Sequence, residues 1–150
     1  MKAAIIGGGN IGMALAEGLV QSGVCKPADI TITRRSTNSL SGASKKNFKT
    51  STDNVLAIQD TDAIFICVLP QQLDEALSQI KATVDLEKQL VVSVVTGAHT
   101  QVFRNALGDQ LRIIRAMPNT AMKVGESMTC IAAVNATQKD IDLVQELSKF

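Results

Sequence analysis

The chain opens with Ala3-Ala4-Ile5-Ile6-Gly7-Gly8-Gly9-Asn10-Ile11-Gly12, an apolar run that breaks into glycines. Gly7, Gly9 and Gly12 have the spacing G-x-G-x-x-G, and apolar residues recur at helical intervals from Ile11 onward. A strand, a tight turn and a helix in this order form the context in which the glycine motif predicts dinucleotide binding rather than an ordinary glycine-rich bend.

Each glycine of the motif has a separate predicted role. Gly7 permits the turn, Gly9 lets a pyrophosphate approach the backbone, and Gly12 lets the helix lie close to the sheet. The free N–H groups at the start of the helix favour phosphate binding. We therefore expect this turn to contact the cofactor through Ile6, Gly7, Gly8, Gly9, Asn10, Ile11 and Gly12.

The segment after the second predicted strand indicates which cofactor is preferred. A site for NAD usually has Asp or Glu at this point, to bind the ribose 2′-hydroxyl. Here the strand is followed by Arg34, Arg35, Ser36 and Thr37. Guanidinium groups bind a 2′-phosphate through paired N–H donors, so we predict NADPH as the preferred cofactor, with NAD also accepted. The alternative is a solvated basic loop.

Alternating strand and helix patterns follow along the whole chain. Apolar or β-branched runs predict strands at 3–6, 30–33, 48–51, 63–69, 90–95, 112–116 and about 128–134. Helices are predicted at about 10–22, 39–46, from 53, 72–81, 100–107 and from 137. This alternation predicts an α/β fold with a doubly wound, mostly parallel sheet, in which ligands bind at the carboxyl ends of the strands.

Further candidate residues fall at these strand ends. For the cofactor they are Asn54, Val68, Leu69, Pro70 and Thr96, and for the nicotinamide and substrate they are Met117, Pro118 and Asn119. An ordinary turn at Pro118-Asn119 is the alternative for the second group. His99, the one histidine, is conceivable as a general acid, but a histidine at a helix start is the favoured interpretation. No catalytic triad, carboxylate pair or metal-ligand set stands out, so no catalytic or metal residue is assigned.

Composition limits the class of protein. The chain has 150 residues, 45% of them hydrophobic and 19% charged, with a net charge of +1. These values predict one folded domain over 1–150, with neither a basic surface for nucleic acid nor a membrane span. The glycines interrupt the N-terminal apolar run, which argues against a signal peptide. Cys25, Cys67 and Cys130 are expected to be buried free thiols in a reducing cytoplasm.

Several separated segments together resemble pyrroline-5-carboxylate reductase. They are Ile6–Gly12, Arg35-Ser36, Val68-Leu69-Pro70-Gln71, Ser93 with Gly97, and Arg115-Ala116-Met117-Pro118-Asn119-Thr120 with Gly125. The resemblance covers essentially the whole chain and implies a Rossmann-type domain of an oxidoreductase that reduces Δ1-pyrroline-5-carboxylate with NAD(P)H in proline biosynthesis. It also implies a cytoplasmic enzyme and a homodimer or higher oligomer.

The chain departs from the family pattern at two points. Leu69 stands where the family usually has Lys. The family's second domain, a helical bundle that forms the dimer and holds the substrate carboxylate, has no counterpart in 1–150, and the last helix, about 138–150, is expected to be truncated. The chain alone is therefore expected to be inactive. The alternatives are a non-enzymatic NADP-binding redox sensor and a related reductase that uses a deazaflavin carrier.

Overall fold

A computed structural model describes residues 1–117 and 130–147. Within these ranges the chain forms one seven-stranded sheet in the order β3-β2-β1-β4-β5-β6-β7. The strands are β1 Ala3–Ile6, β2 Ile30–Thr33, β3 Lys49–Ser51, β4 Ala63–Ile66, β5 Leu90–Ser93, β6 Arg112–Met117 and β7 Cys130–Val134. The helices are α1 Asn10–Gln21, α2 Ser41–Lys45, α3 Asn54–Ile58, α4 Leu73–Ile80, α5 Thr100–Leu107 and α6 Gln138–Leu147. No described helix is both long enough and apolar enough to cross a bilayer.

The sheet is parallel except at one edge. β1 pairs in parallel with β2 and β4, and the order continues in parallel to β6, whereas β7 is antiparallel to β6. The chain order reverses between β1 and β4, which is the switch point at which doubly wound folds bind ligands. The predicted α/β fold with a doubly wound, mostly parallel sheet is confirmed.

Both faces of the sheet are covered, which explains why its central strands are continuous apolar runs. All four residues of β1 are buried, and because side chains alternate along a strand they enter two different cores. Ile5 belongs to the core beneath α1 and α6, with Leu19 and Val144. Ile6 belongs to the core beneath α3, α4 and α5, with Phe103.

Two central strands end earlier than predicted. β4 ends at Ile66 rather than at residue 69, and β5 ends at Ser93 rather than at residue 95. The Cys67 N–H still donates to the Ile6 carbonyl at 2.8 Å, but β1 turns away at Gly7, so the chain beyond Cys67 has no neighbouring strand to pair with. The apolar residues that follow therefore belong to loops at the carboxyl edge.

The expectation that the cysteines are buried was correct for one of the three. Cys25 is buried, Cys67 is partly exposed just beyond β4, and Cys130 is exposed. Cys130 lies in β7 as expected, but β7 is an edge strand and its residues are exposed or only partly buried. The predicted start of this strand, near Met128, lies outside the described residues.

Most predicted helix ends are observed. Gly23 follows α1 with a φ of +74°, a conformation that favours glycine. Asp53 caps α3 by accepting from the N–H groups of Val55 and Leu56. α5 spans the predicted residues 100–107, and its N-cap is His99, where the extended backbone ends.

A reciprocal capping box lies at the start of α6, where a helix is predicted from residue 137, and it includes a charged partner. The Thr137 N–H donates to Asp140 Oδ2 at 2.8 Å, and the Asp140 N–H donates to Thr137 Oγ1 at 3.2 Å. Asp140 Oδ2 also lies 3.3 Å from Arg112 Nη1, and the two side chains are only 12% and 24% exposed. One carboxylate therefore connects the helix start to β6.

Asp140→Ala is expected to lower the free energy of unfolding by about 2 kcal/mol, because it removes the reciprocal cap with Thr137 and leaves the part-buried Arg112 guanidinium without its carboxylate partner. Urea unfolding measures this loss. Asp142→Ala is the control, since Asp142 is exposed and accepts from Gln138 of the same helix at 2.8 Å. That change should cost less than about 0.5 kcal/mol. Equal losses in the two variants would contradict the assigned role of Asp140.

Candidate functional site

A cleft of about 670 Å³ lies at the carboxyl edge of the sheet, around the switch point between β1 and β4. It is bounded by the ends of β1, β2, β4 and β5 and by one face of α4. The predicted cofactor residues among its lining are Ile6, Gly7, Gly8, Gly9, Asn10, Ile11, Arg34, Arg35, Ser36, Asn54, Val68, Leu69, Pro70 and Thr96. The structure thus brings residues from five separated segments into one cleft.

The glycine turn is tightly packed at its first two positions. Gly7 has a φ of +103°, and a Cβ there would lie 2.6 Å from the Cys67 carbonyl oxygen. A Cβ on Gly8 would lie 2.6 Å from Ile32 Cγ2. The N–H groups of both glycines donate to the Thr33 carbonyl, at 3.3 Å and 2.8 Å. These contacts join the turn to β2 and β4.

Gly9 differs from its neighbours because nothing lies within 4 Å of the position its Cβ would take. Its φ of −76° is open to any residue, so the backbone does not require glycine here. Gly9 is the N-cap of α1 and lines the cleft. The free space above it is the part of the cleft that a side chain would fill and that a phosphate group can enter.

Gly12 is not among the lining residues. It is buried in α1, and a Cβ there would collide with the carbonyl oxygen of Gly7. Its small size lets the helix start approach the turn, so Gly12 acts on the cleft through packing.

The basic end of the cleft follows β2. Arg34, Arg35 and Ser36 are exposed, and Arg34 Nη1 donates to the Ser39 carbonyl at 3.2 Å. Arg35 Nη2 lies 3.5 Å from Glu75 Oε2 of α4. The described lining of this cleft contains no other charged side chain than Arg34, Arg35 and Glu75. The side chain of predicted residue Thr37 lies outside the described part of the chain.

Asn54 lies beside the basic end and is already held by protein partners. The buried Thr33 hydroxyl donates to Asn54 Oδ1 at 2.6 Å, and Asn54 Nδ2 donates to Gln79 Oε1 at 2.7 Å. An amide has two donor hydrogens and two acceptor lone pairs, so Asn54 retains one of each for a ligand.

Apolar side chains stand at the mouth of the cleft. Ile11 is 45% exposed and Leu69 is 57% exposed, although both are large and apolar. The Leu69 N–H donates to Gln72 Oε1 at 3.2 Å, which fixes the loop after β4. Leu69, where the resemblance implies a lysine, therefore presents an apolar surface to the mouth of the cleft.

The predicted nicotinamide and substrate residues are only partly described. Met117 ends β6 and is 37% exposed, but it is not among the residues lining the cleft. Pro118 and Asn119 lie outside the described residues. His99 is exposed at the start of α5 and does not line the cleft, in agreement with the favoured interpretation of a helix-start histidine.

Several lining residues were not predicted. They are Thr33, Ser39, Thr52, Cys67, Gln72, Glu75, Ala76, Gln79 and Val94. Four of them form one face of α4 and its preceding turn, since residues 72, 75, 76 and 79 have helical spacing. That spacing is visible in the sequence, but it does not show whether this helix face meets solvent or the cleft.

Cys67 lines the cleft and is partly buried, with its side chain packed against the core. Burial against the core raises the pKa of its thiol to about 12. The reactive form of cysteine is the thiolate, which is scarce far below the pKa. Among the described residues no group of three or more His, Cys, Asp or Glu side chains could hold a metal ion.

Comparison with known proteins identifies the family. A family model described as NADP oxidoreductase coenzyme F420-dependent matches residues 2–97. The chain belongs to this family. The match covers the glycine turn, the basic segment after β2 and the loops after β4 and β5.

Curated proteins that are similar to this chain are named pyrroline-5-carboxylate reductases. Reductase 1 of Dictyostelium discoideum is 36% identical over 146 residues, which cover 97% of this chain and 26% of that protein. The reductase of Methanosarcina acetivorans is 32% identical over 148 residues, which cover 97% of this chain and 54% of that protein. The predicted resemblance is confirmed, and the chain spans about a quarter to a half of these relatives.

Solved structures agree with the sequence matches. A pyrroline-5-carboxylate reductase from Coxiella burnetii superposes with a TM-score of 0.90 at 29% identity, covering 99% of this chain and 55% of that one. A Plasmodium falciparum pyrroline carboxylate reductase with NADP bound superposes with a TM-score of 0.82 at 23% identity, covering 99% and 54%. The second match shows the shared fold.

Proposed function

We propose that this chain is the cofactor-binding part of an NADPH-dependent reductase that converts Δ1-pyrroline-5-carboxylate to L-proline in proline biosynthesis. The observation that carries the cofactor assignment is the free space above Gly9, in the same cleft as Arg34 and Arg35. The substrate assignment is supported by the Dictyostelium and Methanosarcina relatives.

The residues of the cleft fit NADP. The backbone at Gly8, Gly9 and Asn10 would receive the pyrophosphate, where the helix N-terminus adds favourable partial positive charge. Arg34 and Arg35, with Ser36 and Thr37, would hold the 2′-phosphate, and NAD would bind without those contacts. Asn54, Val68, Leu69, Pro70 and Thr96 would line the rest of the cofactor. A bound NADPH supplies the hydride for reduction of the imine carbon.

The protein's part in the reaction is positioning rather than acid–base chemistry. Reducing an imine also requires a proton on nitrogen, and a substrate that binds as the iminium already carries it. We assign no catalytic residue, and we propose that Met117, Pro118 and Asn119 shape the nicotinamide and substrate pocket. Hydride transfer depends on geometry, and a misplacement of about 1 Å can cost about a hundredfold in rate.

The groups that hold the substrate carboxylate are proposed to come from the part of the relatives that this chain does not span. We further propose that residues 1–150 form a single NADP-binding domain, that the whole enzyme is a homodimer or larger oligomer, and that it is cytoplasmic.

A second candidate function is a reductase that uses a deazaflavin carrier. The family description favours it, because coenzyme F420 is a deazaflavin.

The 150-residue chain is expected to bind NADPH without reducing pyrroline-5-carboxylate, because it presents a cofactor cleft but no described carboxylate site. NADPH fluorescence titration and a steady-state assay with pyrroline-5-carboxylate measure the two properties. A chimera in which this chain replaces the matching half of the Methanosarcina reductase should reduce pyrroline-5-carboxylate with NADPH and not with reduced deazaflavin.

Three results would contradict the proposal. The first is failure of the folded chain to bind NADPH. The second is a chimera that binds NADPH but does not turn over the imine. Turnover by the chain alone would contradict the division of roles between this chain and the rest of the relatives, and His99 and Asn119 would then be the first residues to replace.

A further inference from the structure

The cleft contains an acidic side chain, Glu75, which comes from α4 and not from the segment after β2. Glu75 lies on α4, far along the chain from β2, yet it lines the same cleft as Arg34 and Arg35. Its Oε2 atom lies 3.5 Å from Arg35 Nη2. The carboxylate that is missing from the usual position after β2 is therefore present in the cleft, contributed by another element.

We propose that Glu75 is a specificity-determining residue that lowers the preference for NADPH over NADH. The inference rests on the proposed function, because it requires that the 2′-phosphate binds at Arg34 and Arg35. To bind that phosphate, Arg35 must share or give up its contact with Glu75. NADH has no 2′-phosphate, so the Arg35–Glu75 pair can stay intact when NADH binds.

Two effects act in the same direction. The carboxylate competes with the phosphate for the Arg35 guanidinium, and its negative charge repels the phosphate dianion. The Arg35 and Glu75 side chains are 71% and 64% exposed, so the pair contributes little to the stability of the fold and either partner can be exchanged safely. We therefore expect Glu75 to lower the affinity for NADPH and to leave the free energy of unfolding nearly unchanged.

The size of the effect follows from the charges. A unit charge about 6 Å from a phosphate dianion in water changes affinity by up to roughly tenfold, and physiological salt reduces this. Glu75→Gln keeps the shape of the side chain and an oxygen that can accept from Arg35. We expect it to strengthen NADPH binding by about three- to tenfold and to change NADH binding by less than about twofold.

Asp74→Asn is a matched control. Asp74 precedes Glu75 in the first turn of α4, is exposed, and does not line the cleft. Both substitutions remove one negative charge from the same helix start, so their effects on the helix dipole and on net charge are equal. Only the change at Glu75 removes a charge from the cleft.

The experiment is calorimetric titration of wild type, Glu75→Gln and Asp74→Asn with NADPH and with NADH, at low and high salt. The inference requires a higher NADPH-to-NADH affinity ratio in Glu75→Gln alone, with the gain shrinking at high salt. An unchanged ratio in Glu75→Gln, or an equal rise in Asp74→Asn, would overturn it while leaving the proposed function standing. Wild type that binds neither cofactor would contradict the proposed function, and this inference with it.

Discussion

Gly9→Val is expected to weaken NADPH binding by at least about a hundredfold while the protein stays folded. The valine side chain would occupy the free space above Gly9, where the pyrophosphate is proposed to lie. Blocking that position removes several charge-assisted hydrogen bonds to the backbone, each worth about 1.5–3 kcal/mol. The backbone at Gly9, with a φ of −76° and a ψ of −165°, accommodates valine without strain.

Gly42→Val is the control for the substitution itself. Gly42 lies in α2, is exposed, and also has nothing within 4 Å of its missing Cβ, but it does not line the cleft. Gly12 would not serve, because a side chain there collides with the Gly7 carbonyl. Circular dichroism and thermal unfolding should show both variants folded, and fluorescence titration should show that only Gly9→Val fails to bind NADPH. Affinity equal to wild type in a folded Gly9→Val variant would rule out the proposed pyrophosphate position.

The topology could be predicted because each central strand is buried on both faces and the helices that cover them are amphipathic. The limits of β2 are those that the sequence predicted, at Ile30 and Thr33, since a β-branched run there ends at two arginines. The ends of β4 and β5 could not be predicted. Apolar residues continue past Ile66 and Ser93, and for β4 the end of the pairing with β1 is set by the turn of β1 at Gly7, which the apolar pattern of β4 does not contain.

The cleft was predicted from strand ends, and four of the nine lining residues that were missed come from α4 and the turn before it. The apolar face of α4, with Leu73, Leu77 and Ile80, is evident in the sequence and packs in the core. The neighbouring face, with Glu75 and Gln79, resembles an ordinary solvated surface. Whether a polar helix face meets water or a ligand cleft depends on where the sheet places the helix, and local sequence does not contain that information.

The Arg34→Ala, Arg35→Ala double variant is expected to bind NADPH more weakly, by about ten- to a hundredfold for each hydrogen bond to the 2′-phosphate that is lost. Its affinity for NADH is expected to fall far less, because NADH has no 2′-phosphate. Both guanidiniums line the cleft, and neither is held by a buried partner, so both can turn toward a 2′-phosphate. The matched control is Lys45→Ala, Lys49→Ala, which also removes two exposed cations close to this part of the sequence but outside the cleft.

The decisive measurement is the affinity of wild type and of the arginine double variant for NADPH and for NADH, with the lysine double variant beside them. A 2′-phosphate held at Arg34 and Arg35 predicts a selective loss of affinity for NADPH in the arginine variant and nearly equal, small losses for both cofactors in the lysine variant. Equal losses for NADPH and NADH in the arginine variant would contradict the assignment, because the two cofactors differ only in the 2′-phosphate.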